Sequence, residues 1–231
     1  MTEEVTHNLR ADAQENRDRI LDTARTLFSE RGLEVPMREI ARCAEVGPAT
    51  LYRRFPTKQA LIDDALTDEL RACRQIVEDG CADPDPWRGF SSVVEGLSVL
   101  NVQNRGFVDA FMSANPQASV FAEHRTALLR RLRALASRAK RAGRLRHDFA
   151  TDDLVLILLA GRGLSSTRPA TRTVAARRFA ALALDAFREN AANGALPRKP
   201  ALVDEIAHAL RRSHPLRPRT DTGGSCGTRT G

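Results

Sequence analysis

The chain has 231 residues, of which 42% are hydrophobic and 28% are charged, so it can bury one good core and has an ordinary globular composition. No stretch approaches the ~18 consecutive apolar residues of a membrane-spanning helix, which argues against a membrane partner. The polar N-terminus lacks the apolar segment of a signal peptide, and we therefore expect a cytoplasmic protein.

The formal net charge is +7, but the positive charge is unevenly distributed along the chain. Residues 1–70 contain 10 Lys and Arg against 14 Asp and Glu, whereas residues 111–150 contain 9 against 2. Overall basicity is therefore weak evidence for nucleic-acid binding, and the local arrangement of basic residues has to decide. The basic segment 125–146 fits a solvated helix face, a second DNA contact or a site for an anionic effector.

The residues that carry enzyme and metal chemistry are scattered. The four cysteines form no C-x-x-C pair, and the five histidines do not cluster with Asp, Glu or Cys at catalytic or metal-binding spacing. We therefore expect no metal, no cofactor, no disulfide framework and no enzymatic activity.

Apolar residues recur at helical spacing along the chain, and no alternating run is long enough for a strand, so we predict an all-α fold. The expected helices span about 17–31, 36–44, 48–55, 57–80, 86–103, 106–113, 117–142, 152–164 and 171–190. We predict a flexible N-terminus at 1–13, a helix-turn-helix region at 14–66, a helical region at 67–192 for effector binding and dimerisation, and a tail at 193–231 that is largely disordered but includes a helix-compatible segment at 201–212.

The segment 36–55 has the pattern of a helix-turn-helix. Pro48 suits the first position of the second helix, where its missing N–H would have no helical partner. That helix cannot pass Phe55, because Pro56 disfavours a helical conformation for the residue before it. Leu51 and Phe55 are spaced to pack inward, which leaves a two-turn helix exposing small, hydroxyl-bearing and basic residues, as suits the DNA major groove.

The outward residues of this helix have distinct candidate roles. Pro48 and Ala49 let the helix approach base edges, and Arg53 can fork onto guanine. Thr50 and Tyr52 can donate to phosphates, which positions the helix without reading sequence. The alternatives are a half-buried core phenol for Tyr52 and a solvated face for the arginines. The candidate DNA-binding residues are Arg38, Pro48, Ala49, Thr50, Tyr52, Arg53, Arg54 and Lys58.

With these residues in place, the stretch "ILDTARTLFSERG…MREIARCAEVGPATLYRRFPTKQAL" resembles the N-terminal domain of the TetR-type bacterial transcriptional regulators. The resemblance implies a homodimer that binds a palindromic operator on double-stranded DNA, usually a repressor released by a small ligand held in the C-terminal domain. Two positions depart from the family pattern. Met37 replaces a Thr or Ser that contacts phosphate, and Gly47 replaces the Ser before the recognition helix.

The C-terminal half supplies candidates for two further surfaces. Aromatic and aliphatic residues at helical spacing either line an apolar effector pocket or form plain core, and those selected are Phe90, Val94, Leu97, Phe107, Phe111, Met112 and Phe121. The apolar helices near 152–164 and 171–190 form either an intersubunit four-helix bundle or an intrachain core, and the candidate dimer residues are Leu154, Leu158, Gly161, Phe179, Leu182 and Phe187.

We interpret the sequence as that of a dimeric, sequence-specific DNA-binding regulator, most simply a repressor released by a largely apolar effector. One alternative is an architectural protein that coats DNA without sequence preference. Another is a helical small-molecule-binding protein or enzyme, against which the absence of a catalytic cluster in the sequence argues.

Overall fold

The computed structural model describes the backbone of residues 2–113, 120–166 and 168–197. Within these ranges, side chains are described from Gln14 onward, except those of Arg105, Met112, Ser113, Val120, Ala122, Ser165, Ser166 and Pro169. The described residues form α-helices and one 3₁₀ helix, with one isolated bridge pair and no β-strand among them. The predicted all-α fold is confirmed.

The helices follow one another with short connections. In chain order they are α1 (Thr2–Arg31), α2 (Met37–Cys43), α3 (Pro48–Arg54), α4 (Lys58–Ala65), α5 (Thr67–Ala82), α6 (Pro86–Gln103), α7 (Arg105–Ser113), α8 (Val120–Arg141), α9 (Thr151–Gly161), the 3₁₀ helix (Arg162–Ser166) and α10 (Pro169–Phe187). Within the described ranges, no helix combines the length and apolar composition needed to cross a bilayer.

Local capping signals account for several of these boundaries. Gly32 ends α1 with φ 77°, in the left-handed region that favours glycine, and its N–H donates to the Phe28 carbonyl at 3.0 Å. At the start of α6, the Asp85 carboxylate accepts from the backbone N–H groups of Trp87 and Arg88 at 2.9 and 3.1 Å. Pro86 occupies the first position of that helix.

The structure divides the predicted helix 57–80 into two helices that meet at Leu66. Leu66 leaves the helical region with φ −103° and ψ 16°, although it is fully buried. The Arg25 guanidinium donates from Nε to the Ala65 carbonyl at 2.9 Å, which satisfies a carbonyl at the end of α4. A side chain of α1 therefore stabilises a break that neither Pro nor Gly marks in the sequence.

At both ends of the chain, the structure describes part of the segments that were expected to be flexible or disordered. The residues expected to be flexible at 1–13 are helical from Thr2 onward, because this stretch is rich in the helix formers Glu, Ala, Leu and Arg although it lacks a strong apolar face. The first residues of the predicted tail are tied to the helical core: Arg146 donates to the Gly194 carbonyl at 2.7 Å, and the Leu196 N–H donates to Asp148 at 2.9 Å. The predicted segment 201–212 lies outside the described residues.

The C-terminal helices pack around α6, which contacts α5, α7, α8, α9 and α10. The N-terminal helices meet this bundle mainly where α7 crosses α1. Gly106 lies so close to α1 that a Cβ there would be 2.7 Å from the Phe28 carbonyl oxygen. On α7, Asp109 also forms an ion pair with Arg162 at 2.6 Å, so α7 contacts both α1 and the 3₁₀ helix.

Candidate nucleic-acid interface and effector cavity

The helix-turn-helix is formed by α2, α3 and the turn between them. Glu45 adopts φ 55° in that turn, and the Val46 N–H donates to the Ala41 carbonyl at 3.0 Å, which reverses the chain direction. On α3, Leu51 is fully buried and Phe55, the residue after the helix, is 2% exposed. The inward packing of these two side chains fixes which face of α3 points to solvent.

Of the candidate DNA-binding residues, six lie on α3, Arg38 lies on α2 and Lys58 lies on α4. Pro48, Ala49, Tyr52, Arg53, Arg54 and Arg38 are exposed, whereas Thr50 and Lys58 are half-buried. Thr50, Arg53 and Arg54 line a groove of about 150 Å³ together with Asn16, Arg17 and Ile20 of α1. Sequence reasoning did not select the α1 residues, because they face the groove only once α1 and α3 are packed together.

The cations of this region divide into two groups. Arg17 is paired with Asp64 at 2.8 Å, Arg25 with Asp22 at 2.8 Å, and Arg31 with Glu39 at 2.5 Å. By contrast, the four candidate cations form no ion pair with any side chain that the structure describes: Arg38, Arg53, Arg54 and Lys58. Arg19 and Arg42 also lack an ion pair among the described residues, but they donate to the Asn16 side chain and to Cys43 Sγ. Unpaired guanidinium and ammonium groups on the helix-turn-helix and on the first turn of α4 suit a polyanion such as the DNA backbone.

Lys58 is distinctive because it is partly desolvated. Burial lowers the pKa of its ammonium group, and the nearby carboxylate of Glu34 offsets part of that effect. Lys58 is the first residue of α4, where the Thr57 hydroxyl caps the helix by accepting from the Ala60 N–H at 3.1 Å. An anion at this helix start would meet both the ammonium and free backbone N–H groups.

Met37, one of the two departures from the family pattern, is buried with 7% exposure. Its thioether belongs to the same apolar cluster as Ile40 and Phe28. The side chain therefore packs inward, and it offers no hydroxyl to a phosphate.

A cavity of about 60 Å³ lies among α5, α6, α7, α8 and α9. Of the residues predicted for an effector pocket, Leu97, Phe107 and Phe111 line it. The others that are described lie elsewhere in the core: Phe90 packs edge-on against Phe149 with centroids 5.3 Å apart, Val94 is fully buried, and Phe121 lies 6.2 Å from the Phe107 ring. The side chain of Met112 lies outside the described residues.

Apart from Leu100, which the sequence also indicated as a possible pocket residue, the remaining wall of the cavity comes from residues that were not assigned to it. Leu128 and Leu132 of α8 line it, and so do Leu154 and Leu158 of α9, which were assigned to the dimer interface. The apolar character of α9 on nearly all sides was the available signal, because a helix with two buried faces contributes to more than one surface. The polar lining residues are Asn101 and Thr151.

The candidate dimer residues divide by exposure. Leu154, Gly161 and Phe187 are buried within the chain, Leu158 and Phe179 are half-buried, and Leu182 is 62% exposed. The Phe187 ring packs edge-on against Phe149 with centroids 5.0 Å apart, which is an intrachain contact. The large apolar side chains of α9 and α10 that remain exposed are Leu156, Val174 and Leu182.

Comparison with known families finds matches in both regions of the chain. The family described as "Bacterial regulatory proteins, tetR family" matches residues 20–65, which include α2, α3 and α4. The family described as "Transcriptional regulator SbtR-like, C-terminal domain" matches residues 85–189, which include the cavity helices from α6 to α9.

Individual relatives give the same result. The HTH-type transcriptional regulator UidR of Escherichia coli strain K12 is 40% identical over 73 residues, 31% of this chain and 37% of UidR. The match thus spans about 29–37% of the length of these curated relatives.

Solved structures cover more of the chain. The TetR transcriptional regulator SCO0520 of Streptomyces coelicolor is 31% identical and covers 76% of this chain and 99% of its own, with a TM-score of 0.48. The TetR family regulator PfmR of Thermus thermophilus is 21% identical and covers 72% of this chain and 97% of its own. Its TM-score of 0.55 indicates the same fold. Each of these relatives is named as a transcriptional regulator.

Proposed function

Because the chain belongs to the TetR family of bacterial regulatory proteins, we propose that it regulates transcription by binding a palindromic operator as a homodimer. The observation that carries the proposal is the group of four unpaired cations at the helix-turn-helix, in a region whose other arginines mostly form ion pairs within the described residues. An operator supplies the anions that these groups lack.

The exposed face of α3 reads the sequence. Arg53 forks onto guanine in the major groove, while Pro48 and Ala49 allow the start of the helix to approach base edges closely. Thr50 and Tyr52 donate to phosphates, and so do the Lys58 ammonium and the N–H groups at the start of α4. The Tyr52 side chain is 46% exposed, which leaves its hydroxyl accessible for this contact.

Two copies of α3 read a palindrome only if dimerisation holds them about one DNA turn apart, ~34 Å. We assign the dimer contact to the exposed apolar side chains of α9 and α10, namely Leu156, Val174 and Leu182. Burial of this surface against a second copy removes from water the apolar side chains that a single chain leaves exposed.

A small effector bound in the cavity releases the operator. The cavity wall includes Phe107 and Phe111 of α7, and Gly106 of the same helix packs directly on the backbone of Phe28 in α1. An effector that displaces α7 therefore acts on α1 and, through it, on the spacing of the two recognition helices. Only a difference in effector affinity between the two arrangements can shift their equilibrium.

Footprinting on duplex DNA selected from a random pool tests this function. We expect protection of one palindrome by the wild type, whereas uniform protection of all sequences would support an architectural protein instead. Arg53→Ala should cost roughly 1–3 kcal/mol of binding free energy and relax the preference at one base pair in each half-site. The matched control is Arg133→Ala, which removes an exposed arginine from α8 and should leave that preference intact.

A further inference from the structure

A groove of about 480 Å³ lies open to solvent between α5, α6 and α10. Its lining is mostly apolar and includes Ile76 of α5 and Val99 and Leu100 of α6. Among the described residues, Leu100 alone lines both this groove and the cavity of about 60 Å³ inside the C-terminal helices. The two spaces therefore adjoin at Leu100, which is half-buried.

The contact between α5 and α6 is made by backbone atoms at one end and by side chains at the other. At the first end, a Cβ on Gly80 would lie 2.7 Å from the Gly89 carbonyl oxygen, so the two backbones touch. At the second end, the Asn104 side chain donates to the Glu69 carboxylate at 2.7 Å. Leu100 lies one turn before Asn104, in the part held by side chains. A leucine side chain can change rotamer, whereas a backbone contact has no such freedom.

Two neighbouring residues of α5 lie on the two sides of this contact. Cys73 lines the cavity, whereas Ala72 lines the groove. Cys73 is one turn beyond Glu69, so it lies at the same level of the α5–α6 contact as Leu100. The Cys73 thiol can therefore report whether a molecule enters the cavity from the groove.

The described lining of the two spaces has no net charge. The cavity wall contains no charged side chain, and burial raises the pKa of the Cys73 thiol to about 12, so this thiol is neutral at pH 7. The charged residues that line the groove are Glu95 and Arg177, which form an ion pair at 3.3 Å. An ionised ligand would have to compete with this pair or leave its charge beside apolar side chains.

We propose that the groove and the cavity form one effector site with Leu100 as its gate, and that the ligand is an elongated, uncharged amphiphile. Its apolar end passes Leu100 into the cavity, and its polar end stays in the groove, where Ser92 and Gln103 are exposed. The inference rests on the proposed function in taking the cavity as part of the effector site. The cavity alone is smaller than the roughly 150 Å³ of a cavity that binds benzene, whereas the groove has the size of ordinary ligand sites.

The first experiment measures how fast a small uncharged reagent, methyl methanethiosulfonate, reacts with Cys73 in the full-length protein. The other cysteines are removed by Cys43→Ser, Cys81→Ser and Cys226→Ser, so only Cys73 reacts. We expect Leu100→Ala to increase the rate constant at least about tenfold, because the gate is removed. Urea well below the unfolding transition should leave this rate unchanged, since entry through the gate does not require unfolding.

Leu132→Ala is the matched control, because Leu132 is buried and lines the cavity but not the groove. It removes the same atoms from the cavity wall, so it separates opening of the gate from general destabilisation. Leu129→Ala tests a rival entrance, since Leu129 is half-buried and lines the cavity but not the groove. An unchanged rate in Leu100→Ala, or an equal increase in either of the other variants, overturns the inference. If Leu100→Ala does not fold, the cysteine-substituted parent decides: a Cys73 rate that rises in proportion to the unfolded fraction as urea is added also overturns it.

The second experiment tests the class of ligand with 1-octanol and octanoate, which have the same chain length but differ in charge at neutral pH. We expect the Kd of 1-octanol, measured by calorimetry, to be at least about tenfold lower than that of octanoate. At about ten times its Kd, 1-octanol should slow the Cys73 reaction about tenfold, because its apolar end occupies the cavity. Equal Kd values, binding of neither compound, or binding of 1-octanol without protection of Cys73 would each contradict the proposal.

Operator affinity measured with and without 1-octanol separates this inference from the proposed function. If 1-octanol binds and protects Cys73 but operator affinity stays unchanged, the joined site stands and effector release is wrong. If 1-octanol weakens operator binding without protecting Cys73, effector release stands and the joined site is wrong.

Discussion

The N-terminal helices and the C-terminal helices present opposite chemistry to their proposed ligands. At the helix-turn-helix, four cations are held on or near the surface without ion-pair partners among the described residues. Around the cavity, the described wall is uncharged, and even its cysteine is kept neutral by burial. The first arrangement attracts a polyanion over a distance and weakens as salt increases, whereas the second binds a neutral molecule by contact and is insensitive to salt.

The largest expected effect comes from placing charge on the apolar surface of the C-terminal helices. The double variant Val174→Arg and Leu182→Arg should be monomeric in sedimentation experiments. Its operator affinity should fall at least ~100-fold, because the two recognition helices are no longer linked and each binds its half-site separately. Both side chains are exposed in the single chain, so the monomer should stay folded and keep the helical content of the wild type by circular dichroism.

Phe187→Arg is the informative contrast to that double variant. Phe187 is 7% exposed and packs on Phe149, so we expect this variant to unfold rather than to form a stable monomer. A Val174→Arg and Leu182→Arg double variant that remains dimeric, or a monomer that still protects a full palindrome, would contradict the assignment.

The next largest effect tests the contact between α7 and α1, which joins the C-terminal helices to the N-terminal helices. Gly106→Ala would place a methyl group 2.7 Å from the Phe28 carbonyl oxygen and 3.0 Å from its Cβ. We expect the free energy of unfolding to fall by about 1–3 kcal/mol, as for other overpacked positions, and operator affinity to change with it. Gly163→Ala is the control, since nothing described lies within 4 Å of a Cβ there. Equal urea midpoints for the two variants would show that α7 and α1 are not tightly packed at Gly106.

Removing the Lys58 cation tests the salt dependence of operator binding. Lys58→Ala should weaken binding to all DNA sequences alike and flatten the log–log salt dependence of operator affinity by about one unit per half-site. Arg133→Ala removes the same charge from α8 and should leave the slope unchanged. A slope that is the same for Lys58→Ala and the wild type would remove Lys58 from the phosphate contacts.

The smallest effect concerns a charged pair, Arg146 and Asp148, in the connection between α8 and α9. Hydrogen bonds from the Arg146 guanidinium, and then from the Leu196 N–H, hold the pKa of Asp148 well below its usual value of about 3.9. The native state therefore favours the ionised carboxylate. Its stabilising contribution is present above pH ~4 and is lost as the pH falls below that value.

Asp148→Asn should accordingly be less stable than the wild type at neutral pH and should lose less further stability on acidification. Urea unfolding at several pH values below neutrality measures both quantities. Asp185→Asn, at an exposed position on α10, should follow the wild-type curve. Parallel curves for Asp148→Asn and the wild type would contradict this role.

The sequence predicted helices well where a local signal marked their ends. Pro86 and the Asp85 cap define the start of α6, and Gly32 defines the end of α1. The break at Leu66 has no such signal, because Leu is a good helix former and the stabilising contact comes from Arg25, forty residues earlier in the chain. A boundary created by a tertiary hydrogen bond is not visible to a pattern of neighbouring residues.

The sites were predictable to different degrees for a related reason. Exposure on a two-turn helix follows from its periodicity, so α3 could be divided into inner and outer residues before the structure was known. A cavity is the space that packed side chains leave unfilled, and periodicity only indicates that Phe90 and Phe107 are both buried. Which of them borders empty space depends on packing between helices, and this is why Leu128 and Leu132 of α8 were not assigned to the cavity from the sequence.

The crossing of α7 over α1 has a mechanical consequence. Where two helices touch through long side chains, a small shift of one helix is absorbed when those side chains change rotamer. At Gly106 there is no side chain to rotate, and the neighbouring atom is the carbonyl oxygen of Phe28. A displacement of α7 at this point is therefore not absorbed by a change of rotamer. It acts directly on the backbone of α1.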